Sequence, residues 1–123
     1  MVSQEKAEDL QHLIILHICS SIAWAAIKNG EYRCSSLDSE GFIHCSTPDQ
    51  VVEVANRLFL GQHGLVLLVI DPERVIPTIR YEDAENGKLY PHIYGPLNVS
   101  AVTGIEPFEP TVEGKFELPA RLT

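Results

Sequence analysis

Two stretches of this chain place a histidine beside small polar residues within otherwise apolar sequence. His17 is followed by Cys19 and Ser20, and His44 is followed by Ser46. Imidazole changes its charge near neutral pH and both donates and accepts hydrogen bonds, so it is a frequent acid–base and binding group. The neighbouring thiol and hydroxyl groups add hydrogen-bonding capacity. These residues are the first candidates for a functional site.

The stretch GFIHCSTPDQ, residues 41–50, predicts how His44 is presented. Alternate residues of a strand point to the same face, so Phe42, His44 and Ser46 share one face and Cys45 points to the other. Residues 47–50, Thr-Pro-Asp-Gln, then have the form of a capping box with proline at the first helical position. His44 is therefore predicted at the end of a strand, one step before a helix.

Two further predicted strands each contain a histidine. His17 shares a face with Cys19, and His92 shares a face with Tyr94. Because a buried polar group is costly unless it is hydrogen-bonded, histidines on three apolar strands indicate a common site. The alternative is that each is a separate core histidine bonded to backbone groups. The sequence leaves both interpretations open.

Other chemistries fit the residues less well. His17, Cys19 and His44 contain zinc-type ligands, but no Cys-x-x-Cys pair accompanies them. Cys45 points away from His44 and Cys34 lies in a polar loop, which disfavours a cysteine nucleophile. The odd number of cysteines predicts free thiols rather than a disulfide framework, and a cytoplasmic setting.

Three other residues have both a functional and an ordinary interpretation. Trp24 can form a ligand shelf, but the alanines around it favour helix packing. Glu82 can be a catalytic carboxylate, although a solvated charge at a strand end is favoured. Arg57 can reach a phosphate, but it lies off the apolar stripe of its helix and is expected to face solvent.

Apolar periodicity and turn signals predict the elements that position these residues. The expected strands are residues 12–18, 42–45, 64–70, 78–82, 89–94, 99–108 and 115–118. The expected helices are residues 22–28, capped by Ser20 or Ser21, and a helix from the capping box through residue 59. Residues 32–40 are expected to form a loop. This order predicts an α+β protein with two helices in its N-terminal half.

The bulk composition restricts the class of partner. The 123 residues have a formal net charge of −8, and the nine Lys and Arg residues are scattered. Nucleic acid is therefore an unlikely partner, since phosphate binding needs a basic surface. No apolar run is long enough to span a membrane. We expect a disordered tail over residues 1–9 and one domain over residues 10–123 that binds a small molecule. The oligomeric state is left open.

The motifs together resemble the domain of unknown function 952 family. The matching stretches are His17-Ile18, Trp24, Gly30-x-Tyr32, EGFIHCST at 40–47, Gln50 with VANR at 54–57, residues 65–71, PHIYGPL at 91–97, and Ala101-Val102. This family resembles a compact relative of the ADP-ribosyltransferase superfamily, closest to the tRNA 2′-phosphotransferases. The resemblance implies two small antiparallel-rich sheets packed together and NAD as a cosubstrate. No metal is expected, because no Cys-x-x-Cys pair completes a metal site.

The resemblance also implies roles for individual residues. His17, His44 and Ser46 match the catalytic positions of the phosphotransferase pattern. The implied substrate-binding residues are Cys19, Ser20, Trp24, Tyr32, Gln50, His92 and Tyr94. The chain departs from the pattern because it has no winged-helix module and no glutamate in an obvious transferase position. The expected function is an NAD-processing transferase, and the alternative is a non-enzymatic module that binds a nucleotide-like ligand.

Overall fold

A computed structural model describes residues 13–84 and 86–123. The expected disordered tail over residues 1–9 lies outside the described residues. The described part of the chain contains eight strands: β1 (Ile15–Ser20), β2 (Glu31–Tyr32), β3 (Ile43–His44), β4 (Leu65–Ile70), β5 (Thr78–Asp83), β6 (Leu89–Tyr94), β7 (Leu97–Asn98) and β8 (Val102–Phe108). Three α-helices lie wholly within the described residues: α1 (Ser21–Ala25), α2 (Ser35–Ser39) and α3 (Val51–Leu58).

All strand pairs among the described residues are antiparallel, which confirms the α+β prediction in its general form. One three-stranded sheet has the order β1–β4–β8 and a second has the order β3–β6–β5. A two-stranded ribbon, β2–β7, adds a third unit that the sequence did not predict. Short 3₁₀ helices at Pro72–Arg74, Val99–Ala101 and Ala120–Leu122 complete the elements.

Strand β4 is central and buried on both faces, as its continuous apolar sequence predicts. One face, with Leu68 and Ile70, packs against Ile43 and Ile93 of the second sheet. The opposite face, with Leu67, contributes to a second core that contains Val51 and Ala55 of α3, together with Phe108 and Phe116. The two sheets therefore pack on one another through one face of the first sheet, and α3 lies on the other face.

Several predicted boundaries were wrong. Residues 32–40 are not a loop, because β2 begins at Glu31 and α2 occupies Ser35–Ser39. Helix α1 ends at Ala25 instead of residue 28, although Ser20 caps it as predicted by accepting from the Ala23 N–H. Residues 115–118 form no strand, and residues 99–101 are 3₁₀ helix rather than the start of a strand.

The predicted helix start at residues 47–50 is a turn, and α3 begins at Val51. Half of the capping box is nevertheless present, because the Gln50 side chain accepts a hydrogen bond from the Thr47 N–H at 3.0 Å. The Thr47 hydroxyl does not cap the helix and donates to Asp49 instead. This turn fixes the direction in which the chain leaves β3.

Candidate functional site: a cavity beside the free edge of the first strand

A cavity of about 380 Å³ lies where β1, β2, β3 and α3 meet. Its volume is within the range of ligand-binding cavities. Six of the ten residues predicted as site residues line it, namely His17, Cys19, Ser20, Tyr32, His44 and Ser46. The structure therefore brings together the three residues expected to be catalytic and three of those expected to bind substrate.

The other four predicted site residues lie outside the cavity wall. Trp24 is partly buried and packs against the core, as the packing interpretation predicted. The Gln50 amide oxygen accepts from the Thr47 N–H, and its amide nitrogen donates to the Leu89 carbonyl. His92 and Tyr94 lie on the outer face of the second sheet, opposite to the face on which Ile93 packs in the core.

Both ring nitrogens of His17 are occupied by protein groups. Nδ1 lies 2.6 Å from the carbonyl oxygen of His44, and Nε2 lies 2.8 Å from the Tyr32 hydroxyl. Since a carbonyl can only accept, Nδ1 holds the proton. Burial lowers the pKa of His17 to about 4, so the ring is neutral at physiological pH and Nε2 accepts from Tyr32. His17 thus has no free nitrogen for a ligand.

Ser46 differs from His17 because its side chain has no hydrogen-bond partner among the described residues. The residue is 5% exposed, and its backbone N–H and C=O form a two-way bridge with Leu16 of β1. Within the described chain its hydroxyl has no hydrogen-bond partner, although it is not sealed away from solvent. A hydroxyl that solvent reaches at a cavity wall can donate a hydrogen bond to a ligand or water, or accept one from it.

The bridge to Ser46 also leaves part of the β1 edge open. In an antiparallel pair, alternate residues direct their backbone groups toward the neighbouring strand. Leu16 bonds Ser46, on the side away from β4, so Ile18 directs its N–H and C=O to that same side. Ile18 lines the cavity, and no described residue bonds these two groups. The cavity wall thus offers one backbone donor and one acceptor.

The cavity has one permanent charge among the described residues that line it, the guanidinium of Arg57. Its Nε lies 2.9 Å from Glu53 one helical turn away, and half of the Arg57 side chain is exposed. We expected Arg57 to face solvent, and it does so at the cavity wall. In a chain with a net charge of −8, a cavity with one cation and no lining carboxylate favours an anionic ligand.

The thiols at the cavity are poorly suited to nucleophilic attack. Burial raises the pKa of Cys19 to about 11, and burial also raises the pKa of Cys45. Cys34 Sγ lies 3.2 Å from the Ser36 hydroxyl, and all three cysteines are free. No group of three His, Cys, Asp or Glu residues in 13–84 and 86–123 is arranged to hold a metal ion.

A second polar cluster lies on the outer face of the β3–β6–β5 sheet. Glu82 Oε1 accepts from His92 Nδ1 at 2.8 Å and from the Tyr94 hydroxyl at 2.5 Å. The Phe42 ring stacks on His92 with ring centres 4.0 Å apart. These two donors hold the pKa of Glu82 below its usual value, the Tyr94 hydroxyl being the larger cause. Glu82 is therefore more than the solvated charge that we expected.

His44 connects this cluster to the cavity. It lines the cavity, and its ring lies 5.2 Å from that of its strand partner His92. Its Nε2 lies 3.0 Å from Glu40 Oε2, with 54% of the side chain exposed. The sequence contained a signal for the Glu82 contacts, because a hairpin centred on Asn86-Gly87 places Glu82 opposite Tyr90 and diagonal to His92.

The fold and the site define an antiparallel α+β protein with a ligand-sized cavity at a strand edge. The family model described as "Protein of unknown function (DUF952)" matches residues 18–105. This chain therefore belongs to the DUF952 family, as its motifs predicted. No curated protein sequence matches it.

Solved structures of the Caulobacter crescentus protein CC0527 are similar to this chain. The crystal structure is 33% identical in sequence, covers 89% of this chain and 97% of that chain, and has a TM-score of 0.80. A double mutant of the same protein gives the same values. The solution NMR structure is 34% identical in sequence, covers 85% of this chain and 92% of that chain, and has a TM-score of 0.75. None of the described helices is long and apolar enough to cross a bilayer.

Proposed function

We propose that this protein binds a nucleotide in the cavity, with NAD as the first candidate. The observation that supports this best is Ser46, which lines a cavity with a single cation and whose hydroxyl has no hydrogen-bond partner in the described chain. A nucleotide combines ribose hydroxyls that pair with such a group and phosphates that pair with an arginine.

The depth of the lining groups suggests an orientation for the ligand. Tyr32 is 3% exposed and lies deep, whereas half of the Arg57 side chain is in solvent. The deep region has no cation among its described residues, so it does not repel the positively charged nicotinamide ring of NAD. The pyrophosphate would then lie at the mouth, against Arg57. The resemblance to ADP-ribosyltransferases, which hold NAD between two small sheets, supports the same arrangement.

Calorimetric titration with NAD tests this proposal. We expect saturable binding with one ligand per chain, weakened by Ser46→Ala and by Arg57→Ala. The matched controls are Ser39→Ala and Arg33→Ala, since Ser39 bonds a carbonyl and Arg33 pairs with Asp38 away from the cavity wall. Absence of binding at millimolar NAD, or equal weakening by the control substitutions, would contradict the proposal.

Turnover of NAD is the second candidate function, and the Glu40–His44 pair favours it. In this reaction the bond between nicotinamide and ribose breaks, neutral nicotinamide leaves, and a hydroxyl or water attacks the oxocarbenium-like carbon. The attacking group loses its proton to His44, and Glu40 at 3.0 Å stabilises the resulting imidazolium. The absence of a carboxylate among the described lining residues favours binding alone.

Nicotinamide release separates the two functions. NAD is incubated with the wild type and with His44→Ala, and free nicotinamide is measured by chromatography. Release that depends on His44 supports turnover. Stoichiometric binding with no nicotinamide release would support binding alone. Equal release from both proteins would show that His44 is not the base.

A further inference from the structure

The Tyr32 hydroxyl has a fixed direction, which is unusual for a tyrosine at a cavity wall. His17 Nδ1 must donate to the His44 carbonyl, so the neutral ring presents a bare Nε2 to Tyr32 at 2.8 Å. The hydroxyl proton therefore points at His17. The Cys19 thiol lies beside the same oxygen and interacts with it as a hydrogen-bond donor. The Tyr32 oxygen keeps one further lone pair that can accept from a ligand.

This geometry makes part of the cavity wall selective for donors. Tyr32 presents one acceptor lone pair, and the Ile18 carbonyl adds a second acceptor on the β1 edge. A primary carboxamide offers two N–H donors to such acceptors and a carbonyl to the Ile18 N–H. A carboxylate in the same place has no donor, and its charge would face the lone pairs of these two acceptors.

We infer that Tyr32 is a specificity-determining residue that selects a carboxamide over a carboxylate on the bound ring, and that His17 is its positioning residue. This inference rests on the proposed binding of NAD. It assigns His17 to orientation of the Tyr32 hydroxyl, since the ring has no free nitrogen to contact substrate. The specificity arises because the tyrosine proton is already committed to His17.

The experiment compares NAD with nicotinic acid adenine dinucleotide, which differs from NAD only in carrying a carboxylate in place of the carboxamide. We expect the wild type to bind NAD about tenfold more tightly, the size of one hydrogen bond lost at a buried acceptor. Tyr32→Phe should lower NAD affinity about tenfold and abolish most of the preference. Tyr81→Phe is the matched control, because Tyr81 lies outside the cavity lining.

Two His17 variants test positioning separately from folding. In His17→Gln the side-chain carbonyl can still accept from Tyr32, so the preference for NAD should persist. In His17→Leu the hydroxyl loses its acceptor and can rotate to donate to a carboxylate. The preference should then collapse, with tighter binding of the nicotinic acid dinucleotide than in the wild type. A purely structural role for His17 would weaken both ligands equally.

The outcomes distinguish this inference from the proposed function. If the wild type binds neither dinucleotide at millimolar concentration, the proposed function fails and the inference fails with it. If it binds both with equal affinity, nucleotide binding stands and the inference is overturned. The wild-type comparison decides this even if a substituted protein does not fold.

Discussion

The Nδ1–H group of His17 donates to the backbone carbonyl of His44 across 2.6 Å, and this bond joins β1 to β3. One motif histidine thus binds the backbone of the other, while the His44 side chain pairs with Glu40 and is half exposed. The two histidines have different roles because of this bond. His17 organises the deep part of the cavity, and the His44 side chain is available for chemistry.

The buried neutral state of His17 predicts acid sensitivity. The pKa is about 4 in the folded protein and near 6.5 when unfolded, so the unfolded state binds more protons between these values. This contribution to the free energy of unfolding is complete above pH 6.5 and falls by about 3 kcal/mol as the pH drops toward 4. Urea unfolding of the wild type and His17→Gln at pH 4 to 8 measures it. Identical pH profiles for the two proteins would contradict the burial argument.

Removal of the Ser46 hydroxyl should separate stability from binding. Because this hydroxyl has no partner in the described chain, Ser46→Ala should change the free energy of unfolding by less than about 0.5 kcal/mol, or increase it. NAD affinity should fall about threefold to tenfold through loss of one hydrogen bond. Thermal unfolding and calorimetry on the same protein check both parts. A marked loss of stability with unchanged affinity would show that Ser46 is structural.

Removal of the Tyr32 hydroxyl should have a stability effect of its own. Tyr32→Phe leaves Nε2 of the buried His17 without a donor, which costs about 1–3 kcal/mol. Denaturant unfolding measures this loss. The double variant Tyr32→Phe with His17→Leu removes both partners and should recover part of it. A double variant whose loss equals the sum of the two single losses would argue against the bond.

Arg57 should contribute a salt-dependent attraction for the ligand. Arg57→Ala should reduce NAD affinity about tenfold at low salt, and the difference from the wild type should shrink as salt rises. Titrations at several salt concentrations provide the test. Arg33→Ala, which removes an equivalent exposed ion pair, should leave affinity and its salt dependence unchanged. A loss for Arg57→Ala that is independent of salt would point to packing rather than charge.

The Glu82 cluster predicts a second acid-dependent contribution. Hydrogen bonds from Tyr94 and His92 lower the pKa of Glu82 in the folded protein. The ionised carboxylate therefore stabilises the fold at any pH above the pKa that Glu82 has in the unfolded chain. This stabilisation is lost as the pH falls through the pKa of Glu82 in the folded protein. Glu82→Gln should remove this acid dependence and disturb the His92 ring signals in NMR spectra. Glu117→Gln, at an exposed carboxylate near the end of the chain, is the control. Unchanged His92 signals would contradict the cluster.

Sequence periodicity predicted the parts of the fold that depend on local pattern. The apolar run of β4 predicted its central position, and alternation along residues 42–46 predicted that Cys45 is buried in the core. The short elements were missed because two-residue β2 and five-residue α2 are too short for a periodic signal. Gly41 follows α2 and has a positive φ of 91°. A glycine at this position is a sequence signal that could have located the end of the helix.

The candidate site was predicted less completely than the fold. Residue types indicated a site around His17 and His44, and the cavity includes both. The pairing of His17 with Tyr32 depends on how β1 and the β2–β7 ribbon pack, which no local pattern encodes. The same applies to Arg57, whose position off the apolar stripe suggested solvent and whose place at the cavity follows from where α3 lies.

Backbone amide NMR shifts during titration with NAD test the central claim most directly. The account predicts saturable shifts at Ile18, Tyr32 and Ser46, because their groups form the free strand edge, the acceptor and the unpartnered hydroxyl of the cavity. Residues of β8 on the far edge of the first sheet should move little. Unmoved signals at all three cavity residues in millimolar NAD would contradict the account.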